Sequence, residues 1–191
     1  MKRSFFLALL MIAGFSTTAQ AGLLPTSVTI YPEAGGQFRW QYAIVLPTDS
    51  QLKSGDFFTI YDFAGYIPST DVAPSSDWVF TTQNVGPTPA SVLPSDNASV
   101  PNLSWTYVGP TINVGQTGLG NFMANSNFED KNFSFFTAST HRASDGKKDT
   151  NVTYTEVPVP TQVPEPATLA LAALGLPLLG LARLRRKNGL V

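Results

Sequence analysis

The chain has 191 residues, a charged fraction of 13%, an aromatic fraction of 12%, and 15 each of Gly and Pro. An ordinary soluble domain carries about 25% charge, so this composition fits one turn-rich all-β domain with processing segments, not a helical domain. Residues 22–160 hold six basic against twelve acidic side chains, net −6, which sets aside a nucleic-acid partner; the absence of Cys excludes disulfides, Cys-ligated zinc, iron–sulfur clusters and thiol nucleophiles.

The chain opens with Lys2 and Arg3, continues through an apolar stretch from Phe5 to Phe15, and reaches Ala19-Gln20-Ala21. A positive start, an apolar middle and a small-x-small end, in that order, predict a signal peptide over residues 1–21, cleaved between Ala21 and Gly22. The competing reading is a buried N-terminal helix. The usual spacing of all three parts favours the signal.

Residues 22–160 read as strands. Ser27–Tyr31 is the first. In Gln37–Leu46 the residues Phe38, Trp40, Tyr42, Ile44 and Leu46 share one face, and Gln37, Arg39 and Gln41 the other, so the strand has one wet face. Asp56–Phe63 is apolar on both faces and should lie centrally in a sheet. Asp77–Thr82, Leu103–Val108, Asn132–Phe135 and Asn151–Thr155 alternate again. Glu33–Gly36, Lys53–Asp56, Val114–Gly118 and Ser144–Lys147 carry turn residues. Gly86–Asp96 is rich in Pro and Ser and reads as a long surface loop. Short strands with regular turn signals predict an antiparallel β-sandwich of about 7–9 strands.

Catalytic chemistry is hard to find in this stretch. His141 is the single His, its flanks are polar and turn-like, and no G-x-S-x-G sequence accompanies it, so it reads as a solvated loop residue. Glu33, Glu129 and Glu156 are the Glu residues available for a carboxylate pair, and Glu129-Asp130 reads as a turn. A metal site would have to be built from oxygen, which means Ca²⁺. Asp56, Asp62, Asp71 and Asp77 are the candidates, without EF-hand spacing, and turn capping is the commoner role of such residues. Trp40, Trp78, Trp105, Tyr61 and Tyr66 could stack on sugar rings, but on alternating strands they read first as core. No catalytic residue, metal ligand or cofactor is therefore assigned.

Beyond the domain comes Val163-Pro164-Glu165-Pro166. An uncharged apolar run from Ala167 to Ala182 follows, then Arg183, Arg185, Arg186 and Lys187. A spanning helix needs about 20 apolar residues; residues 167–184 come close if Arg183 snorkels, although Pro177 interrupts them. The basic cluster at 183–187 is a cytoplasmic stop, which leaves Glu165 at the outer membrane face. Two prolines keep that site extended and non-helical, as a handle for a processing enzyme should be.

This arrangement over residues 161–191 closely resembles the PEP-CTERM sorting signal. The resemblance implies an exosortase-like membrane processing enzyme as partner and transient residence in the inner membrane. It further implies delivery to the cell envelope, surface or extracellular matrix of a bacterium that makes exopolysaccharide. Gly55–Gly65 is also similar to a stretch in other proteins bearing this signal, and it brings no biochemical role with it. The expectation is a non-enzymatic, surface- or matrix-sorted β-sandwich with a structural or binding role and exopolysaccharide as candidate partner. The alternative is a small carbohydrate-binding or carbohydrate-active domain with a loop Ca²⁺ site. Exposed aromatics with clustered Asp would favour the second, and wholly buried aromatics the first.

Overall fold

A computed structural model describes residues 22–161 except Ser91 and Val114. The expected signal peptide with Ala19 and Ala21, and the sorting segment with Val163, Pro164, Glu165, Pro166, Arg183, Arg185, Arg186 and Lys187, lie outside the described residues.

The nine strands are β1 (Leu24–Glu33), β2 (Gln37–Leu46), β3 (Ser50–Gln51), β4 (Phe57–Ile60), β5 (Trp78–Gln83), β6 (Asn102–Tyr107), β7 (Thr117–Ser126), β8 (Lys131–Arg142) and β9 (Lys148–Pro158). All pairings are antiparallel, and the described residues contain no helix. One sheet has the order β1-β2-β7. The other runs β9-β8-β4-β6-β5, with β3 beside the end of β8.

The alternation in β2 decides how the sheets meet. Trp40, Tyr42, Ile44 and Leu46 are buried, and so are Phe122 and Ala124 on the neighbouring strand β7. Tyr42 stands opposite Phe122 and Trp40 opposite Ala124. The second sheet answers with Phe58 from β4, Leu103 and Trp105 from β6, Trp78 from β5 and Phe136 from β8. Phe122 reaches across to Phe58, Trp78 and Trp105, with ring centroids 4.9, 4.8 and 5.6 Å apart. Each fully buried large side chain contributes about 1.5–3 kcal/mol relative to exposure, so this aromatic layer is the main favourable term.

As its doubly apolar sequence requires, β4 is internal, paired with β6 on one side and β8 on the other. Its entry is fixed by the turn Lys53–Asp56. Gly55 has φ 90, the Asp56 N–H donates to Lys53 O at 2.9 Å, and the Lys53 N–H donates back to Asp56 Oδ2 at 2.8 Å. A residue with positive φ at the third position of a tight turn is best filled by Gly.

Two expectations are corrected here. Val114–Gly118 is not all turn, because Thr117 and Gly118 already belong to β7, a ten-residue strand that the sequence reading omitted. Its Gly120 is demanded by position. The register between β2 and β7 slips at Ile44/Val45, leaving a bulge, and Gly120 there has φ 104. A Cβ at Gly120 would also sit 2.6 Å from Pro74. The Pro74 contact arises because the β4–β5 connection crosses to cover the free edge of β7, where Val72 and Met123 exchange two backbone hydrogen bonds of 2.9 Å. A covered edge cannot template pairing with another chain.

The second correction concerns Gly86–Asp96. Part of it is surface loop, but Pro87 and Thr88 pack on the outer face of the larger sheet. Thr59 Oγ1 donates to Pro87 O at 2.8 Å, and Tyr61 OH bonds Thr88 Oγ1 at 2.8 Å. Thr59, Ser104 and Tyr61 are buried beneath it. The outer face of the sheet is thus covered over β4 and β6.

Candidate functional site

Strands β8 and β9 pair over eleven positions, from Lys131↔Pro158 to His141↔Lys148. The alternation expected in Asn132–Phe135 and Asn151–Thr155 is present, but its polarity is inverted. Ser134, Asn151 and Thr155 point inward and are buried, while Phe133, Phe135, Val152 and Tyr154 lie on the outer face. The phase is set farther along β8, where Phe136 and Ala138 join the core. A strand has period two, so burying Phe136 turns Phe133 and Phe135 outward.

Phe133 is 68% exposed and Tyr154 59%. Phe135 stands directly opposite Tyr154, their ring centroids 4.7 Å apart at 39°. Beyond Phe133 the Lys131 ammonium pairs with Glu156 at 2.7 Å. In the other direction, the same face runs through Thr137 and Val152 to a groove of about 460 Å³. Ser139, Lys148, Asp149 and Thr150 line it from the sheet, and Thr88 and Pro89 from the covering loop. From Phe133 to Ser139 is six residues, roughly 20 Å of extended strand. The site is an elongated face with rings at one end and, at the other, a groove bordered by hydroxyls and by the charged Lys148 and Asp149.

The single His occupies a different position from the one expected. His141 is in β8, not in a solvated loop, and its Nδ1 lies 3.0 Å from both carboxylate oxygens of Asp56. The hydrogen bond is directed at Oδ2, which leaves Oδ1 buried without one. Residues 85 apart in sequence meet because β4 and β8 are neighbours. Asp56 is fully buried, and burial holds its carboxyl above the ordinary value of 3.8; the Lys53 N–H, His141 and Lys148 pull the other way without cancelling it. The folded chain therefore holds this proton more tightly than the unfolded chain does. The associated stability is complete below pH 3.8 and is lost as pH rises through the higher native value. Asp56→Asn keeps an acceptor for the Lys53 N–H and cannot ionise, so its urea midpoint should gain on the wild type's between pH 4 and pH 7. Parallel midpoints at the two pH values would contradict this.

The remaining candidate carboxylates are dispersed. Asp62, at the far end of β4, accepts from Asn97 N and Ser134 Oγ, each at 2.9 Å. Asp71 accepts from Tyr66 OH at 3.0 Å, and Asp77 is bonded to Ser75. Among the described residues, no three His, Asp or Glu side chains come together as a metal site. Glu33 is paired with Arg39 and Glu156 with Lys131, while Glu129 borders a separate groove with Asp130 and Ile30. No two of these Glu residues face one another across a shared groove. Trp40, Trp105 and Tyr61 are fully buried, Trp78 nearly so, and Tyr66 is half-buried. The aromatics with exposed faces are others, Tyr31 on β1 and Phe133 and Tyr154 here, and the phase of Phe136 was the signal that could have located the last two.

The root of the chain's C-terminal segment adjoins this face. The Val159 N–H donates to Asp130 O at 2.8 Å, just past the end of β9 at Pro158. Gly22, the expected first residue after cleavage, enters the fold at once, its N–H bonded to Ser50 Oγ at 3.2 Å. No curated protein matches the chain. Residues 162–187, beginning four residues after β9, match the family described as the PEP-CTERM protein-sorting motif, so the chain carries the signal of an exported protein handled by exosortase-type membrane processing.

Proposed function

We propose that residues 22–160 form a non-enzymatic β-sandwich module, delivered to the cell surface or matrix, which binds or decorates exopolysaccharide. The sorting motif at 162–187 supports this reading, because it marks an exported protein and its resemblance implies bacteria that make exopolysaccharide. The fate of the carboxylates supports it. Asp62, Glu33 and Glu156 are engaged in a capping contact and surface pairs, roles that hold the fold, and this supports a non-enzymatic reading. The exposed rings of Phe133 and Tyr154 favour the binding half of the alternative reading, a carbohydrate-binding domain; the dispersed Asp residues give its Ca²⁺ half no support.

The test is fractionation of the producing cells, followed by incubation of the purified protein with their matrix polysaccharide. The protein should be recovered with the surface or matrix fraction and should leave polymer length unchanged. New reducing ends that accumulate with protein concentration would make it an enzyme. Recovery in the inner membrane alone would remove the matrix role.

A further inference from the structure

We propose that the outer face of β8 and β9 is a binding surface for an extended, neutral polysaccharide. The aromatic end, Phe133, Phe135 and Tyr154, takes the apolar faces of sugar rings, and the groove at Thr88 and Thr150 takes their hydroxyls. This rests on the reading of the domain as a glycan-binding module and names the surface and the ligand class.

The first observation is the inverted alternation. Eight large aromatic side chains of this domain are fully buried, yet at this end of the two strands Ser134 and Thr155 fill inner positions while Phe133, Phe135 and Tyr154 lie outward. A strand face that merely met water would carry Thr, Lys or Glu. Leaving a Phe exposed forgoes about 1.5–3 kcal/mol of burial. Nothing in the described chain covers Phe133 or Tyr154, although the loop through Pro87 covers the same sheet one strand away.

The shape and chemistry follow from the register. Residues two apart on a strand are separated by about 6.8 Å, so Phe133 and Phe135 are set in line along β8, with Tyr154 abreast of Phe135. A linear polymer laid along the strands meets rings first and then the hydroxyls of Thr150 and Thr88. A pyranose offers apolar C–H faces and a hydroxyl rim, the two surfaces this face complements. A hydroxyl can both donate and accept, which suits a ligand whose own groups do the same.

Charge selects the class. The domain is net −6, and the Lys131 ammonium on this face is already neutralised by Glu156. An acidic polysaccharide would meet repulsion over the surface, against which the groove offers one ammonium, Lys148, beside the Asp149 carboxylate. A neutral glycan meets no such repulsion.

The test compares the exported protein with its Phe133→Ala/Tyr154→Ala variant by electrophoresis in gels containing laminarin, hydroxyethylcellulose or alginate. Laminarin or hydroxyethylcellulose should retard the wild type, and the double variant should bind at least about tenfold more weakly, with an unchanged melting temperature. Equal retardation of both proteins by extracted matrix polysaccharide would overturn this face and leave the glycan-binding function standing. Retardation by no polysaccharide, the extracted matrix included, would overturn both. Preference for alginate would overturn the neutral class. A wild-type dimer in sedimentation velocity that the double substitution splits into monomers would assign the face to a second copy of the chain instead.

Discussion

Phe58→Ala should cost the domain about 3–5 kcal/mol, the range for emptying an aromatic site in a close-packed core. Phe58 lies in β4, internal to the larger sheet. Its ring stacks against Trp105 at 5.3 Å and Phe136 at 5.4 Å, meets Trp78 at 5.7 Å, and meets Phe122 of the other sheet at 4.9 Å. Among the described residues it is the one side chain whose ring meets rings on three other strands of its own sheet, β5, β6 and β8, and on the opposite sheet. Those neighbours are held by ladder hydrogen bonds along β6, β8 and β7, so they cannot collapse into the space an alanine would leave. A natural domain has only about 5–15 kcal/mol of stability in total, so this loss takes a large share. Urea titration followed by Trp fluorescence measures it, with Phe133→Ala as comparison. Phe133 is exposed, and its removal should change stability by less than about 0.5 kcal/mol. A Phe58→Ala cost below about 1 kcal/mol would mean that the core is not organised around this ring.

The two phenylalanines also show where the sequence is legible and where it is not. Strand β2 announces both its period and its inner face, because one face is apolar and the other carries Gln37, Arg39 and Gln41. Strand β4 announces an internal position, because both faces are apolar. Strand β8 announces only its period. Phe133, Phe135 and Phe136 place aromatics on both faces, and which set is buried depends on Ala138 and on pairing with β4, a partner more than seventy residues away. The candidate site therefore lay in a strand that could be seen, on a face that could not. The same limit applies to Asp56 and His141. Each has turn-like neighbours, and only the antiparallel pairing of β4 with β8 makes them a buried pair. Strand β7 was hidden for another reason. Its Gly120 answers to a bulge and to the approach of Pro74, and both are tertiary demands that local propensity reads as turn.

Glu165→Ala should abolish sorting while leaving the domain as stable as before. Glu165 lies outside the described residues, seven positions beyond the last residue of β9. The core residues fall between Leu23 and Val157, and the end of the domain is tied off where the Val159 N–H meets Asp130 O. A substitution at 165 therefore removes none of the contacts that hold the two sheets together, and stability should change by less than about 0.5 kcal/mol. Recognition is a different matter. The motif matched at 162–187 contains a single acidic group, and Glu165 is also the only one from Thr161 to Val191. An enzyme that must find this site beside an apolar run and a basic cluster has one carboxylate to grip, between two prolines in the sequence. Losing one charge-assisted contact costs roughly 1.5–3 kcal/mol, about ten- to a hundredfold in recognition. The measurement pairs thermal melts of the two proteins with their electrophoretic size and location in the native host. Unprocessed protein retained in the membrane, with an unchanged melting temperature, is the expected result. Processing of the variant at the wild-type rate would reduce Pro164-Glu165-Pro166 to a linker and leave the basic cluster and apolar run to act as an ordinary anchor.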